Sequence, residues 1–182
     1  MTTRMEIRLA GSGGQGIILA SIILAEAALL TGKNVAQTQS YGAEARGGMC
    51  KAEVVVSDGK IGFFKVRKPT FLLALTQQSL DQYTKGIPDT CTVMADESLA
   101  LPAWLGAGRA VCLPILRTAS ETVGRALTAN IVAVGAINAA LALAPHEELR
   151  LAVGKNIPKG TEALNFAALD LGAGLVGMPI RP

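Results

Sequence analysis

MEIRLAGSGGQGI, residues 5–17, is the stretch on which the fold turns. Met5, Ile7 and Leu9 alternate with Glu6 and Arg8, the two-residue period of a strand with one apolar face. Gly11, Ser12, Gly13 and Gly14 then make a turn. Gln15 to Thr31 reads as an apolar helix whose only charge is Glu26, stopped by Gly32. Gly11, Gly13 and Gly16 fit G-x-G-x-x-G between a strand and a helix, the context that gives the motif meaning. The first glycine permits the sharp turn, the second lets backbone approach a ligand, and the third lets helix and strand pack closely. The helix N-terminus then offers unpaired N–H groups to an anion.

A dinucleotide site would also need an Asp or Glu about 20 residues on, at the end of the second strand, for the ribose hydroxyls. That region is Val35 to Ser40, with no acid and no Arg. The lysine of a phosphate-binding P-loop is missing too, because Gln15-Gly16-Ile17 stands in its place. Three readings stay open from the motif alone: a structural tight turn, a phosphate-bearing ligand, and a nicotinamide or flavin dinucleotide.

Outward from this motif, strands are predicted at 34–40, 51–56, 61–66, 70–75, 90–95 and 110–115. Ser57-Asp58-Gly59-Lys60 reads as a hairpin turn joining 51–56 to 61–66, since Asp-Gly tolerates the positive φ of a tight turn. Helices are predicted at 77–85, 118–143 with a break near Thr128, 146–153 and 161–171. Strands alternating with helices imply an α/β fold: a Rossmann-like, open, largely parallel sheet with an antiparallel hairpin and helices on both faces. No linker divides residues 1–182, so a single domain is expected.

Composition supports a packed protein and narrows its class. Of 182 residues, 50% are hydrophobic and 17% charged, which excludes a disordered chain, and 4% are aromatic, so the core must be aliphatic. A net charge of +3, scattered along the chain, gives no reason to expect nucleic acid. Cys50, Cys91 and Cys112 lack metal-ligand spacing and are odd in number, so reduced cysteines used for packing are expected, with no iron–sulfur cluster on this chain. The N-terminal residues carry Arg4, Glu6 and Arg8 and no apolar signal core, so a cytoplasmic location is expected. Residues 126–145 are uncharged, but Thr128, Asn130 and Asn138 would be costly in lipid, so a buried helix is expected there and no membrane span.

The second unusual stretch is SYGAEARGG, residues 40–48. It places the Arg46 guanidinium beside two glycines after the second strand. The ends of the first two strands flank one crevice in an open α/β sheet, so Arg46 is in reach of an anion held at Gly13 to Gly16. A guanidinium binds phosphate bidentately. A surface pair with Glu44, or a contact to a partner subunit, would equally use Arg46.

The two glycine motifs together, in this order, resemble the gamma subunit of 2-oxoacid:ferredoxin oxidoreductases of the pyruvate, 2-oxoglutarate and ketoisovalerate type. KPTFLLAL at 68–75, QQSLDQY at 77–83 and TANIVAVG at 128–135 are similar to further stretches of that family, and the likeness covers nearly the whole chain. The resemblance implies a complex that converts a 2-oxo acid and coenzyme A to acyl-CoA and CO2 while reducing ferredoxin. It implies thiamine diphosphate, Mg and [4Fe-4S] clusters on partner subunits: alpha, beta and a ferredoxin-like delta chain. The gamma subunit would hold coenzyme A as co-substrate and no tightly bound cofactor of its own.

The site residues that follow are Gly11, Gly13, Gly14, Gln15, Gly16, Arg46 and Asn130. Backbone N–H groups of Gly13 to Gly16 would meet coenzyme A phosphates and Arg46 would neutralise them. Asn130 would hydrogen-bond the pantetheine or diphosphate, or instead cap its helix. No catalytic residue and no metal ligand is expected here. His146, the only histidine, precedes two glutamates at an exposed helix start, and the acids Asp81, Asp89, Asp96, Glu97 and Glu121 read as solvated surface or caps. Trp104 reads as a packing or interface anchor. Other functions to weigh are a small subunit of an indolepyruvate-type oxidoreductase, a stand-alone nucleotide-binding domain and a ligand-free structural subunit.

Overall fold

The computed structural model describes residues 3–41, 48–106 and 108–177. Its centre is a six-stranded sheet: β1 (Arg4–Ser12), β2 (Asn34–Tyr41), β3 (Met49–Ser57), β4 (Phe71–Ala74), β5 (Thr92–Asp96) and β6 (Ala110–Leu113). The strand order is β2-β3-β1-β4-β5-β6. β1, β4, β5 and β6 are mutually parallel, whereas β3 runs antiparallel to both of its neighbours, β2 and β1.

An antiparallel hairpin is present, but its strands are β2 and β3 rather than 51–56 and 61–66. The reason lies in chain length. Seven residues separate Tyr41 from Met49, too few for the crossover of a dozen or more that parallel neighbours need. Both edges of β3 are thereby used, and 61–66 finds none to join. It is not a strand but part of a strap, residues 58–70, laid over one sheet face. Arg4 donates to Phe63 O at 2.9 Å, Arg8 to Val66 O at 3.3 Å, and Arg67 and Lys68 N–H groups donate to Glu6 Oε2 at 2.8 and 3.0 Å.

The other face carries the main aliphatic core and the long helices. They are α1 (Ile17–Leu30), α4 (Ala129–Leu141), α5 (His146–Asn156) and α6 (Glu162–Gly174). α2 (Gln77–Tyr83) covers the strap face with the loop around Leu105, over Leu72, Val93 and Ala95. The helical stretch predicted at 118–143 breaks as expected: α3 (Ile115–Arg117) runs into a wide turn, Gly124 takes φ +78°, and a short 3-10 turn at Ala126–Thr128 leads into α4. α4 is apolar on all sides because it is buried on all sides. It spans 13 residues, and among the described residues no helix is long and apolar enough to cross a membrane.

α4 and α6 touch backbone to backbone. A Cβ built on Gly135 would run into Leu169 O, and one on Gly172 into Val132 O. Two glycines allow this approach, and Ala would force the helices apart. Cys50 and Cys91 are buried as expected, but Cys112 is exposed, because β6 is the sheet's edge.

Candidate functional site

β1 ends at Ser12 and α1 begins at Ile17, with Gly13 to Gly16 between them at the carboxyl ends of the parallel strands. Gly14 (φ +96°) and Gly16 (φ +70°) hold left-handed backbone, which L side chains take with strain. Gly13 and Gly14 are exposed, and a Cβ on Gly14 would meet nothing within 4 Å, so there is open space above the turn. Gly11 is buried: a Cβ there would lie 2.5 Å from Gln15 Oε1.

The donors expected to meet an anion divide into two groups. Gly13 N–H donates to Gly48 O at 2.9 Å and Gln15 N–H to Ser12 O at 3.2 Å. Gly14 and Gly16 N–H groups have no acceptor among the described residues. The first backbone bond of α1 is Ala20 N–H to Gly16 O, so the N–H groups of Ile17, Ile18 and Leu19 precede any helical acceptor. No charged residue lies between Ser12 and Leu24 to compete with a bound anion.

Gln15 has a structural duty. Its Oε1 accepts from Ser12 N–H at 2.8 Å and its Nε2 donates to Leu75 O at 3.4 Å. It thus ties the ends of β1 and β4 together. Asn130 is buried at the start of α4. Its Nδ2 reaches Gly16 O at 3.5 Å and its Oδ1 accepts from Ile131 N–H at 3.0 Å. A Cβ on Gly16 would lie 2.5 Å from Asn130 Nδ2, so the glycine is also what lets the starts of α1 and α4 meet. Asn130 thus supports the turn from beneath and takes up one N–H of its own helix's first turn, while the N-cap residue, Thr128, makes no side-chain cap.

Arg46 lies outside the described residues. Its loop's flanks do not: Tyr41 ends β2 opposite Cys50, and Gly48 accepts from Gly13 N–H. The two glycine motifs of the sequence are therefore joined by a hydrogen bond. The same geometry weakens the dinucleotide reading. With β3 inserted between them, the ends of β1 and β2 stand two strand spacings apart, about 10 Å, instead of one.

The strap face holds charges that the sequence reading passed over. Glu53 Oε1 accepts from Arg8 at 2.8 Å and pairs with Lys51 at 3.2 Å, and its side chain is 8% exposed. Arg8 and Lys51 both lie over the Tyr83 ring, 5.7 and 5.8 Å from its centre. Burial raises the Tyr83 pKa, although Arg8 opposes the shift. The available signal was the run of charges at alternate positions 6, 8, 51 and 53, which also fits a solvated strand face. His146 is half exposed and pairs with Asp170 at 3.0 Å. Of the two readings for Asp96, solvated surface or cap, the cap holds: it is buried, accepting from Ser98 and from Leu116 N–H at the start of α3. Trp104 stands 55% exposed, with Arg109 over its ring. Among the described residues, no three His, Cys, Asp or Glu side chains converge as metal ligands.

A mixed six-stranded sheet with a glycine turn between its first strand and first helix defines an α/β protein. The comparisons with known proteins make this specific. Residues 6–175 match the pyruvate ferredoxin/flavodoxin oxidoreductase family, and the chain belongs to that family. It is 44% identical over 172 residues to the 2-oxoglutarate synthase subunit KorC of Methanocaldococcus jannaschii, covering 93% of this chain and 92% of that one. The crystal structure of the keto/oxoacid ferredoxin oxidoreductase gamma subunit from Geobacter sulfurreducens superposes with a TM-score of 0.82 at 38% identity, covering 95% and 96% of the two chains. The 2-oxoglutarate:ferredoxin oxidoreductase from Magnetococcus marinus, solved with 2-oxoglutarate, coenzyme A and succinyl-CoA bound, shares the fold at a TM-score of 0.84 and 22% identity, over 98% of this chain and 33% of that one. The expected gamma-type subunit of a 2-oxoacid:ferredoxin oxidoreductase is thus borne out, as is the α/β fold.

Proposed function

We propose that this gamma subunit holds the diphosphate of coenzyme A at the Gly13–Gly16 turn within a thiamine-diphosphate-dependent complex. The observation that carries the reading is the pair of donors, Gly14 and Gly16 N–H, that have no acceptor among the described residues, beside the start of α1 and with open space above Gly14. Left-handed glycines let backbone N–H groups point outward together, and the helix start adds partial positive charge. Arg46, between the flanks Tyr41 and Gly48, would supply the formal charge. Gly11, Gln15 and Asn130 shape this site: Gly11 gives Gln15 room, Gln15 ties the strand ends, and Asn130 carries Gly16.

The chain's own residues bind and position. Carbon–carbon cleavage belongs to thiamine diphosphate and electron transfer to iron–sulfur clusters, groups that alpha, beta and ferredoxin-like delta subunits would hold, with ferredoxin as acceptor in the cytoplasm. The names of three relatives at 39–44% identity, all 2-oxoglutarate synthase subunits, make 2-oxoglutarate the first substrate to assay. The test is to purify the native complex through this chain and follow dye reduction with 2-oxoglutarate. Reduction that requires coenzyme A and yields succinyl-CoA is the expected result. A chain recovered alone, or turnover indifferent to coenzyme A, would refute the proposal.

A further inference from the structure

A cavity lies near the turn, on the strap face of the sheet. It has a volume of about 290 Å³ and is lined by Thr38, Gln39 and Ser40 of β2, Lys51 and Glu53 of β3, and Lys65 of the strap. Among the described residues, the charges around it do not balance. Arg8, Lys51 and Lys65 gather about one carboxylate, and Arg8 and Lys51 both engage the same oxygen of it, Glu53 Oε1. Glu53 Oε2 accepts nothing from the described residues, Lys65 has no ion-pair partner among them, and the Thr38 and Ser40 hydroxyls make no hydrogen bond among them. Cations in excess of their counter-ions, the exposed Lys65 beside the partly buried Arg8 and Lys51, favour a bound anion.

The lining also says what kind of anion. Two ammonium groups and two hydroxyls suit a phosphate monoester, and the free carboxylate oxygen beside them suits a neighbouring hydroxyl donor. A ribose with a phosphate and a hydroxyl on adjacent carbons presents that pair. The volume lies just below the usual range for small-molecule sites and suits a phosphorylated sugar rather than a whole dinucleotide. Lys51 pairs with Ala10 of β1 and Ser40 of β2, and each of Ala10 and Lys51 is three residues from the Gly13–Gly48 hydrogen bond. At about 3.4 Å per residue, that places the pocket roughly 10 Å from the turn.

We infer that this pocket binds the 3′-phosphorylated ribose of coenzyme A, with Lys51 and Lys65 on the phosphate and Glu53 on the 2′-hydroxyl. The inference rests on the proposed function for its ligand, and its test separates the two. The full chain is titrated calorimetrically with coenzyme A, dephospho-coenzyme A, adenosine 3′-monophosphate, adenosine 2′-monophosphate and inorganic phosphate. Coenzyme A should bind at least tenfold tighter than dephospho-coenzyme A, and adenosine 3′-monophosphate at least tenfold tighter than the 2′-isomer or inorganic phosphate. Lys65→Gln, at an exposed position that leaves the Glu53 pairs in place, should erase both preferences while leaving the affinity for dephospho-coenzyme A unchanged. Lys51→Gln should do the same.

Equal binding of coenzyme A and its dephospho form would overturn the pocket and leave the turn site standing. Selective binding of adenosine 3′-monophosphate without any binding of dephospho-coenzyme A would support the pocket and overturn the turn. A preference that survives in Lys65→Gln, or no binding of any probe, would overturn the pocket.

Discussion

Gly16 shows how much one hydrogen atom in place of a side chain accomplishes. Its φ of +70° turns the chain into α1, its N–H has no acceptor among the described residues, and Asn130 occupies the space a Cβ would need. Gly16→Ala should therefore cost stability through both strain and collision, about 1–3 kcal/mol, read as a lower denaturant midpoint with an unchanged slope. The strand–turn–helix motif was legible in the sequence, but its glycines divide the work differently: Gly13 gives its N–H to Gly48 O, and Gly16 packs against Asn130 of α4 rather than against a strand. The roles of Gln15 and Asn130 were not, because their partners, Leu75 and Gly16, lie 60 and 114 residues away along the chain. The thiols give a second check at this scale. Burial pushes Cys91 up to about 11, against the pull of Arg109 and Arg8, and burial also raises Cys50. Cys112, on the edge strand, is exposed. Alkylation of the native chain at pH 8 should label Cys112 first, with Cys50 and Cys91 labelled only after unfolding. Early labelling of Cys91, followed by mass spectrometry, would contradict the buried placement of β5 and its lead-in.

Among the elements, the strap and the α4–α6 crossing carry the most testable chemistry. Glu6 fastens the strap by accepting from Arg4 and from the Arg67 and Lys68 N–H groups. Burial alone would raise its pKa, but these donors win and hold it below its ordinary value. A carboxylate depressed in the folded state stabilises fully above its unfolded pKa, and that stability fades as pH falls through the folded value. Unfolding free energy should thus decline as pH drops below about 4.5, and Glu6→Gln should lose roughly 1–3 kcal/mol at neutral pH and flatten that decline. A variant with the wild-type acid profile would show that Glu6 is not the fastener. At the crossing, Gly135→Ala and Gly172→Ala should each destabilise by about 1–3 kcal/mol or more, since the added methyl meets backbone that cannot rotate aside. Most elements could be read from hydrophobic period alone. The hairpin could not, because Asp58-Gly59 is a strong local turn signal and 61–66 is apolar enough for a strand. The decisive clue was global: seven residues between β2 and β3 forbid a parallel crossover.

At the scale of the whole molecule, the sheet separates two kinds of surface. One face is a closed aliphatic core under four helices, and the other carries a smaller apolar cluster under α2 beside a charged layer under the strap, with the glycine turn at the carboxyl ends of the strands. Large apolar side chains remain outside both. Leu127 is 69% exposed, Leu29 and Leu151 59%, Trp104 55% and Phe64 54%. They lie on separate elements, and Trp104, the largest of them, is the side chain on which a partner contact is best tested. Hydroxyl-radical footprinting should modify Trp104 in the isolated chain and leave it protected in the native complex. Equal modification in both states would place the partner interface elsewhere.

The central claim is that the glycine turn receives the coenzyme A diphosphate, and Gly14 tests it most directly. Ala at that position meets no protein atom within 4 Å, but it puts a methyl group into the space the phosphate would fill. Calorimetric titration of coenzyme A into the full chain should show binding that Gly14→Ala weakens at least tenfold, while the unfolding midpoint falls by only about a few degrees. Equal affinity of wild type and Gly14→Ala, or a wild-type chain that binds no coenzyme A, would contradict the account.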